Sequence, residues 1–279
     1  MQQRSFFLIT ALAFGFAFLY VPILMMIVFS FNAGKLVTVW AGFSTKWYLT
    51  LLHNEQMLEA ARLSVKIAAL NATGAVILGT LAGLVLARFG RFKGRTLLSG
   101  MTTAPLVMPE VITGLSLLLL FVAMEAAFGW PAGRGVTTIT IAHITFSLSY
   151  VTVVVQSRLS SFDESLEEAA MDLGARPAKV FFVITLPIIL PAIISGWLLA
   201  FTLSWDDLVI SSFVSGPGST TLPMLIFSKV RLGVSPEINA LATILVLAVT
   251  VMIVGSAFWM QRQERARQRD VQMAQATNQ

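Results

Sequence analysis

Charged residues in this chain stand in short islands between apolar runs, and several of those runs are long enough to cross a bilayer. A helix needs about 20 apolar residues to traverse about 30 Å of hydrocarbon. Of the 279 residues, 56% are apolar and 12% charged. A soluble domain carries about 25% charged residues, so this chain lacks the polar surface to cover itself in water. Backbone groups inside hydrocarbon must find partners within their own segment, which selects helices. The expected fold is an all-α membrane protein, one transmembrane domain over 1–279, with six spans at about 5–31, 67–87, 97–124, 136–157, 188–213 and 238–260.

The first apolar run exceeds the usual hydrophobic stretch of a signal peptide and lacks a small-x-small cleavage site, so it reads as a retained span. Residues 32–61 form a polar loop bearing Trp40, Phe43, Trp47 and Tyr48, as side chains at an interface do. Gly74, Gly79 and Gly83 in the second span allow a neighbouring helix to come close. Pro105, Pro109 and Glu110 interrupt the third. Lys and Arg set the orientation. With both termini cytoplasmic, the inner face holds twelve of them, including the acid-free cluster Arg88, Arg91, Lys93 and Arg95 and four arginines of the tail 261–279; the outer face holds seven. The net charge of +5 is therefore read as loop orientation, with no nucleic-acid partner implied.

The loop 158–187 is the one long charged island in the second half. Asp163, Glu164, Glu167, Glu168 and Asp172 crowd into ten residues. Ser161-x-x-Glu164 and Ser165-x-x-Glu168 have capping-box spacing, and acids suit a helix start. Leu166, Ala169, Ala170 and Leu173 make one side apolar. Gly174 is suited to end that helix in a left-handed conformation, and Pro177 to open a second one. The orientation argument makes this helix–turn–helix cytoplasmic.

Acids within apolar spans are the candidate chemistry, because a charge in the bilayer core is costly and faces a cavity or a partner. Glu110 stands beside Pro109, where a disturbed helix frees backbone groups. Asp206 and Asp207 lie near the outer end of the fifth span, and Trp205 beside them can stack on an ammonium group. Three acids with no Lys or Arg inside the apolar part of their spans favour a cationic substrate. Each has a structural alternative. Asp206-Asp207 can sit at headgroup level, paired with Lys229 or Arg231 or facing another subunit; Glu110 can be a protonated packing residue. His143 reads as a satisfied core residue. With two histidines and no cysteine, no metal site is expected. No G-x-x-x-x-G-K-[ST], HExxH or G-x-S-x-G occurs, so the chain is not read as an enzyme and carries no phosphate-cradling loop of its own.

Glu168-Ala169-Ala170, Gly174, and the distal Ile184-x-Leu186-Pro187 resemble the EAA motif of binding-protein-dependent ABC importer permeases, at the spacing of that family. The resemblance implies a type I importer permease of a bacterial inner membrane whose loop docks on an ABC ATPase dimer, with ATP bound by that partner and no cofactor here. It also implies a second, homologous permease. Leu36-Val37-Thr38-Val39-Trp40, Pro105-Leu106-Val107-Met108-Pro109-Glu110, Ser204-Trp205-Asp206-Asp207, Ser215-Gly216-Pro217-Gly218 and Thr221-Leu222-Pro223 are similar to the spermidine/putrescine permeases. That implies import of a polyamine delivered by a periplasmic binding protein, along a path including Glu110, Trp205, Asp206 and Asp207. The same scaffold suits another cationic or amine substrate, such as thiamine, ferric iron or an amino compound.

Overall fold

The computed structural model describes residues 2–36, 39–233, 235–251, 254–255 and 258, with the backbone alone for 2–5. Val37, Thr38, the end of the sixth expected span and the tail 261–279 lie outside the described residues. The described chain is helical: α1 (Gln2–Ser30), α2 (Lys46–Leu52), α3 (Glu55–Arg88), α4 (Arg95–Val107), α5 (Glu110–Phe128), α6 (Val136–Ser160), α7 (Ser165–Asp172), α8 (Pro177–Val180), α9 (Leu186–Trp205), α10 (Val209–Val214) and α11 (Leu222–Leu232). A shorter apolar helix, α12, covers Pro236–Val251. Five helical stretches among the described residues are long and apolar enough to cross a bilayer: Phe6–Ser30, Glu55–Arg88, Glu110–Phe128, Val136–Ser160 and Pro177–Trp205.

The third expected span, 97–124, is two helices. Pro109 offers no N–H and its ring opposes a continuing helix, so α4 ends at Val107 and α5 restarts at Glu110 with Pro109 as its N-cap. The fifth, 188–213, is likewise interrupted: α9 stops at Trp205 and α10 begins at Val209, leaving Asp206 and Asp207 in the break. The second is longer than expected, because α3 is helical for 34 residues.

The chain forms two compact units. In the unit built from the two chain ends, α1 presents exposed apolar side chains such as Phe7, Phe14 and Phe18, as a lipid-facing or partner-facing helix does. The following loop is gathered by Asn32, 1% exposed. Its Nδ2 donates to the carbonyls of Leu36 and Val39 at 3.0 and 2.7 Å, and its Oδ1 accepts from Gly34 N and Ala41 N. Trp47 Nε1 donates to the Asn32 carbonyl at 2.7 Å. One side chain thus supplies the partners that a turn lacking ladders would leave unmet.

In the unit Gln56–Ser228, α6 is the central helix, with Ile139, Ala142, Val151, Val155 and Leu159 fully buried. Glycines bring α3 against it. A β-carbon on Gly79 would lie 2.7 Å from Val151 Cβ and 3.0 Å from the Leu148 carbonyl, and one on Gly83 would lie 3.2 Å from the Thr152 carbonyl. On the other side Ile189 and Ala200 of α9 join the same apolar cluster as Val151 and Val155. Asn71, fully buried on α3, donates to Ser147 Oγ of α6 at 3.2 Å and to the Ala200 carbonyl of α9 at 2.7 Å. Small residues thus set the spacing, and a buried amide sets the register of three helices.

A side chain at Gly79 must therefore displace α6 backbone. Gly79→Val is expected to destabilise the purified protein by about 1–3 kcal/mol. Gly100→Ala on α4, where an added β-carbon meets nothing within 4 Å, is expected to be neutral or stabilising by up to about 1 kcal/mol. Thermal unfolding in detergent distinguishes the two.

Candidate functional site: a charged elbow and an interrupted helix

The acidic island folds as expected in outline and differently at its start. Neither capping box forms. Helix α7 begins at Ser165, and Asp163 Oδ1 accepts the Ser165 N–H at 3.0 Å. That backbone bond holds the exposed Asp163 carboxyl below its ordinary value. At the other end Gly174 has φ +85°, the left-handed region. Gly174 N donates to the Met171 carbonyl at 2.9 Å and Ala175 N to the Ala170 carbonyl at 3.0 Å, the paired bonds of a glycine-terminated helix. Pro177 opens α8 in its first turn.

Glu168, Ala169, Gly174 and Pro187 are exposed, and Ala170, Ile184 and Leu186 are half-buried. Ala170 and Gly174 meet at a concavity of about 510 Å³, walled also by Leu173, Ala175, Arg176 and Lys179. A β-carbon on Gly174 would touch nothing within 4 Å. The apolar side chains of Leu166, Met171 and Leu173 stand in solvent. This elbow therefore offers an open, mixed apolar and cationic surface, flanked by the Glu168 carboxylate.

Ile184 belongs to a π-helical turn, Phe181–Thr185, between α8 and α9. Leu186 N donates to the carbonyl five residues back, at Phe181. Pro187 has no N–H for the carbonyl four residues before it, and a widened turn relieves the clash of its ring. Glu167 fastens this turn to the elbow: its Oε1 accepts Thr185 Oγ1–H at 2.5 Å, and its Oε2 lies 3.2 Å from Arg88 Nε at the end of α3. Arg88 Nη1 also reaches Glu164 Oε1 at 2.5 Å. The Arg88 and Glu167 side chains are 13% and 15% exposed, whereas that of Glu164 is 61% exposed. Arg88 and Glu167 were not singled out by motif. The available signals were a basic residue ending one span and an acid at i+3 from Glu164, turned about 100° around the helix from Glu168.

The candidate substrate residues are at the helix breaks. Glu110 is exposed in the first turn of α5. One turn later Gly114 lets α5 close on α10, since its β-carbon would lie 2.8 Å from Phe213 Cδ2 and 3.3 Å from Ile210 Cα. Trp205 is half-buried and stacks on Phe201, which in turn stacks on Trp197, with centroids 6.2 and 5.4 Å apart. Asp206 is exposed, while the Asp207 side chain is 8% exposed. The neighbouring acids thus have different surroundings. Asp207 Oδ2 accepts Ser211 N–H at 2.7 Å and Oδ1 accepts Ile210 N–H at 3.2 Å. His143 Nε2 lies 3.0 Å from Asp207 Oδ2 and 3.1 Å from Ser211 Oγ; its Nδ1 lies 2.7 Å from Ser204 Oγ. His143, 2% exposed, is the satisfied core residue that the sequence suggested, with an acid among its partners. No cluster of three or more His, Cys, Asp or Glu suited to a metal occurs among the described residues.

Residues 79–269 match the family described as binding-protein-dependent transport system inner membrane component. The putrescine transport system permease protein PotI of Escherichia coli is 64% identical over 273 residues, 97% of this chain and 96% of that protein. The spermidine/putrescine transport system permease protein PotC of Escherichia coli is 44% identical over 86% of this chain and 89% of that protein. Among solved structures, a bacterial ABC transporter involved in import of the acidic polysaccharide alginate superposes with a TM-score of 0.68 at 16% identity, covering 92% of this chain and 96% of that one. The MetNI methionine ABC transporter gives a TM-score of 0.57 at 14% identity, covering 72% and 92%. The likeness of fold thus extends over carriers of chemically unrelated cargo.

Removing Arg88 strands the mostly buried Glu167, whereas neutralising exposed Glu164 removes a solvated pair. Arg88→Ala is therefore expected to lower stability by about 1–3 kcal/mol, and Glu164→Gln by less than about 1 kcal/mol. Denaturation of the two variants in one detergent gives the order.

Proposed function

The chain belongs to the binding-protein-dependent transport system inner membrane components, and on that premise we propose that it is the permease subunit of an ATP-driven polyamine importer. The observation that carries this reading is the 64% identity to a putrescine permease across 97% of the chain. It is a transport subunit and not the nucleotide hydrolase. In this reading the full 1–279 chain is one permease domain in a bacterial inner membrane with both ends cytoplasmic. It forms the path with a second, homologous permease and receives substrate from a periplasmic binding protein.

The elbow is the part suited to an ABC ATPase dimer. Helix α7 with Glu168, Ala169, Ala170 and Gly174 presents an uncovered concavity, and a partner can approach the glycine without meeting a side chain. Closure of the ATPase on ATP would move α7. The motion has two rigid routes inward: through α8 and the π-helical turn to α9, with Ile184, Leu186 and Pro187 at the joint, and through Glu167 and Arg88 to α3. Alternating access follows when the lower ends of α3 and α9 move with the elbow. At the interrupted ends, the exposed Glu110 and Asp206 supply carboxylates and Trp205 an aromatic face, with Asp207 buried beside Asp206. Those groups suit an ammonium chain, since a cation is attracted to carboxylates and to ring faces alike.

The complex in proteoliposomes, with its binding protein outside and ATP at the ATPase, is expected to accumulate labelled putrescine and to lose signal to excess unlabelled spermidine. Competition by thiamine or ferric iron, without competition by either polyamine, would reject the substrate class. Gly174→Trp places an indole where the ATPase would seat; it is expected to cut uptake about tenfold or more, equivalent to about 1.4 kcal/mol, while the chain still inserts. Unchanged uptake with substrate-stimulated ATP hydrolysis in Gly174→Trp would reject the docking assignment.

A further inference from the structure

We propose that the two adjacent acids at the end of α9 divide the work, with Asp206 meeting the cation and Asp207 serving as an internal peg that His143 holds in place. The proposal deepens the polyamine reading and rests on it for the nature of the cation.

The bonding of Asp207 carries the argument. Both its oxygens are occupied from within the protein, by Ile210 N–H, by Ser211 N–H and by His143 Nε2. A carboxylate accepts only, so Nε2 carries the hydrogen, and in the neutral imidazole Nδ1 is left to accept from Ser204 O–H at 2.7 Å. Every polar atom of the imidazole then has a partner. The cluster joins three pieces of chain: α6 through His143, the last turn of α9 through Ser204, and the first turn of α10 through Ser211. It crosses the break in the backbone that carries Asp206. Asp206 N donates to the Thr202 carbonyl at 3.3 Å, so its backbone continues α9 while its side chain is exposed. Beside it ends the row Trp197, Phe201, Trp205. The position of the exposed acid is thereby fixed by a neighbour that a substrate does not reach. His143 is a positioning residue.

Substitutions at His143 separate its two contacts. A glutamine amide reaches the place of Nε2, and an asparagine amide reaches only that of Nδ1. His143→Gln retains the donor to Asp207; His143→Asn retains the partner of Ser204 and leaves Asp207 one donor short. The importer complex is reconstituted with its binding protein and ATP, and putrescine uptake is normalised to the amount of assembled complex. The chain has no cysteine, so Asp206→Cys supplies the single thiol of this subunit for a cationic methanethiosulfonate reagent, with label counted on this subunit alone and read without any substrate.

Asp206→Asn is expected to assemble and unfold as wild type does, with uptake per complex reduced about tenfold or more, the size of a lost hydrogen bond to a charged group. Asp207→Asn and His143→Asn are expected to lower the unfolding temperature and also to reduce uptake per surviving complex, with His143→Gln restoring it to within about twofold of wild type. The labelling rate at Asp206→Cys is expected to change when His143→Asn is added and to stay level with His143→Gln. Equal uptake and equal labelling in the Gln and Asn variants would overturn the positioning role. Wild-type uptake by Asp206→Asn, with loss in a fully stable Asp207→Asn, would reverse the assignment of the two acids. Failure of wild type to import putrescine defeats the substrate reading instead, and the labelling comparison still tests the clamp.

Discussion

Close approach of α3 to α6 is the constraint on which the remaining packing depends. In lipid there is little hydrophobic gain from joining two apolar helices, so contact has to come from fit and from polar pairs. At Gly79 and Gly83 the fit is glycine backbone against both backbone and valine side chains of α6, with no room for a methyl group at the first of them. Once α3 is seated, Asn71 reaches both Ser147 and the Ala200 carbonyl. That places α9 against α6, and α9 carries both the elbow at one end and the acids at the other. The charged sites thus inherit their positions from a seam that contains no charge.

Polar satisfaction also explains where the helices stop. Proline at 109 and 187 removes a donor in each case, and the two sites respond differently. At Pro109 the chain breaks and a new helix starts at Glu110. At Pro187 the helix widens into a π turn and continues, because Glu167 and Thr185 brace it from the side. A break gives an exposed acid; a braced wide turn gives a continuous rod between surface and interior.

Much of this was legible in the residues. The apolar runs gave the long helices α1, α3 and α6, Gly174 the end of α7, Pro177 the start of α8, and Gly79 the close contact. Other features have no local signature. The capping box at Ser165 did not form because Asp163 takes the Ser165 amide, and the one at Ser161 because Ser161 caps the end of α6, its Oγ donating to the Arg158 carbonyl. The span 188–213 reads as uninterrupted because apolar residues stand on both sides of Asp206-Asp207, and a stop is visible only when His143, 64 positions from Asp207, is known to face it. Asn32 likewise looks like an ordinary loop residue until its partners at 34, 36, 39 and 41 are brought around it. Long-range pairs are fixed by the whole fold, and spacing along the chain does not encode them.

The burial of Asp207 has an arithmetical consequence for the lining. Two adjacent carboxylates suggest two negative charges facing a doubly charged diamine, yet one of them is spent inside the protein on amides and an imidazole. The break presents a single countercharge. The second ammonium of such a guest has to be balanced away from this break, as the exposed Glu110 is placed to do, so electroneutrality along the path is not a property of the adjacent acids alone.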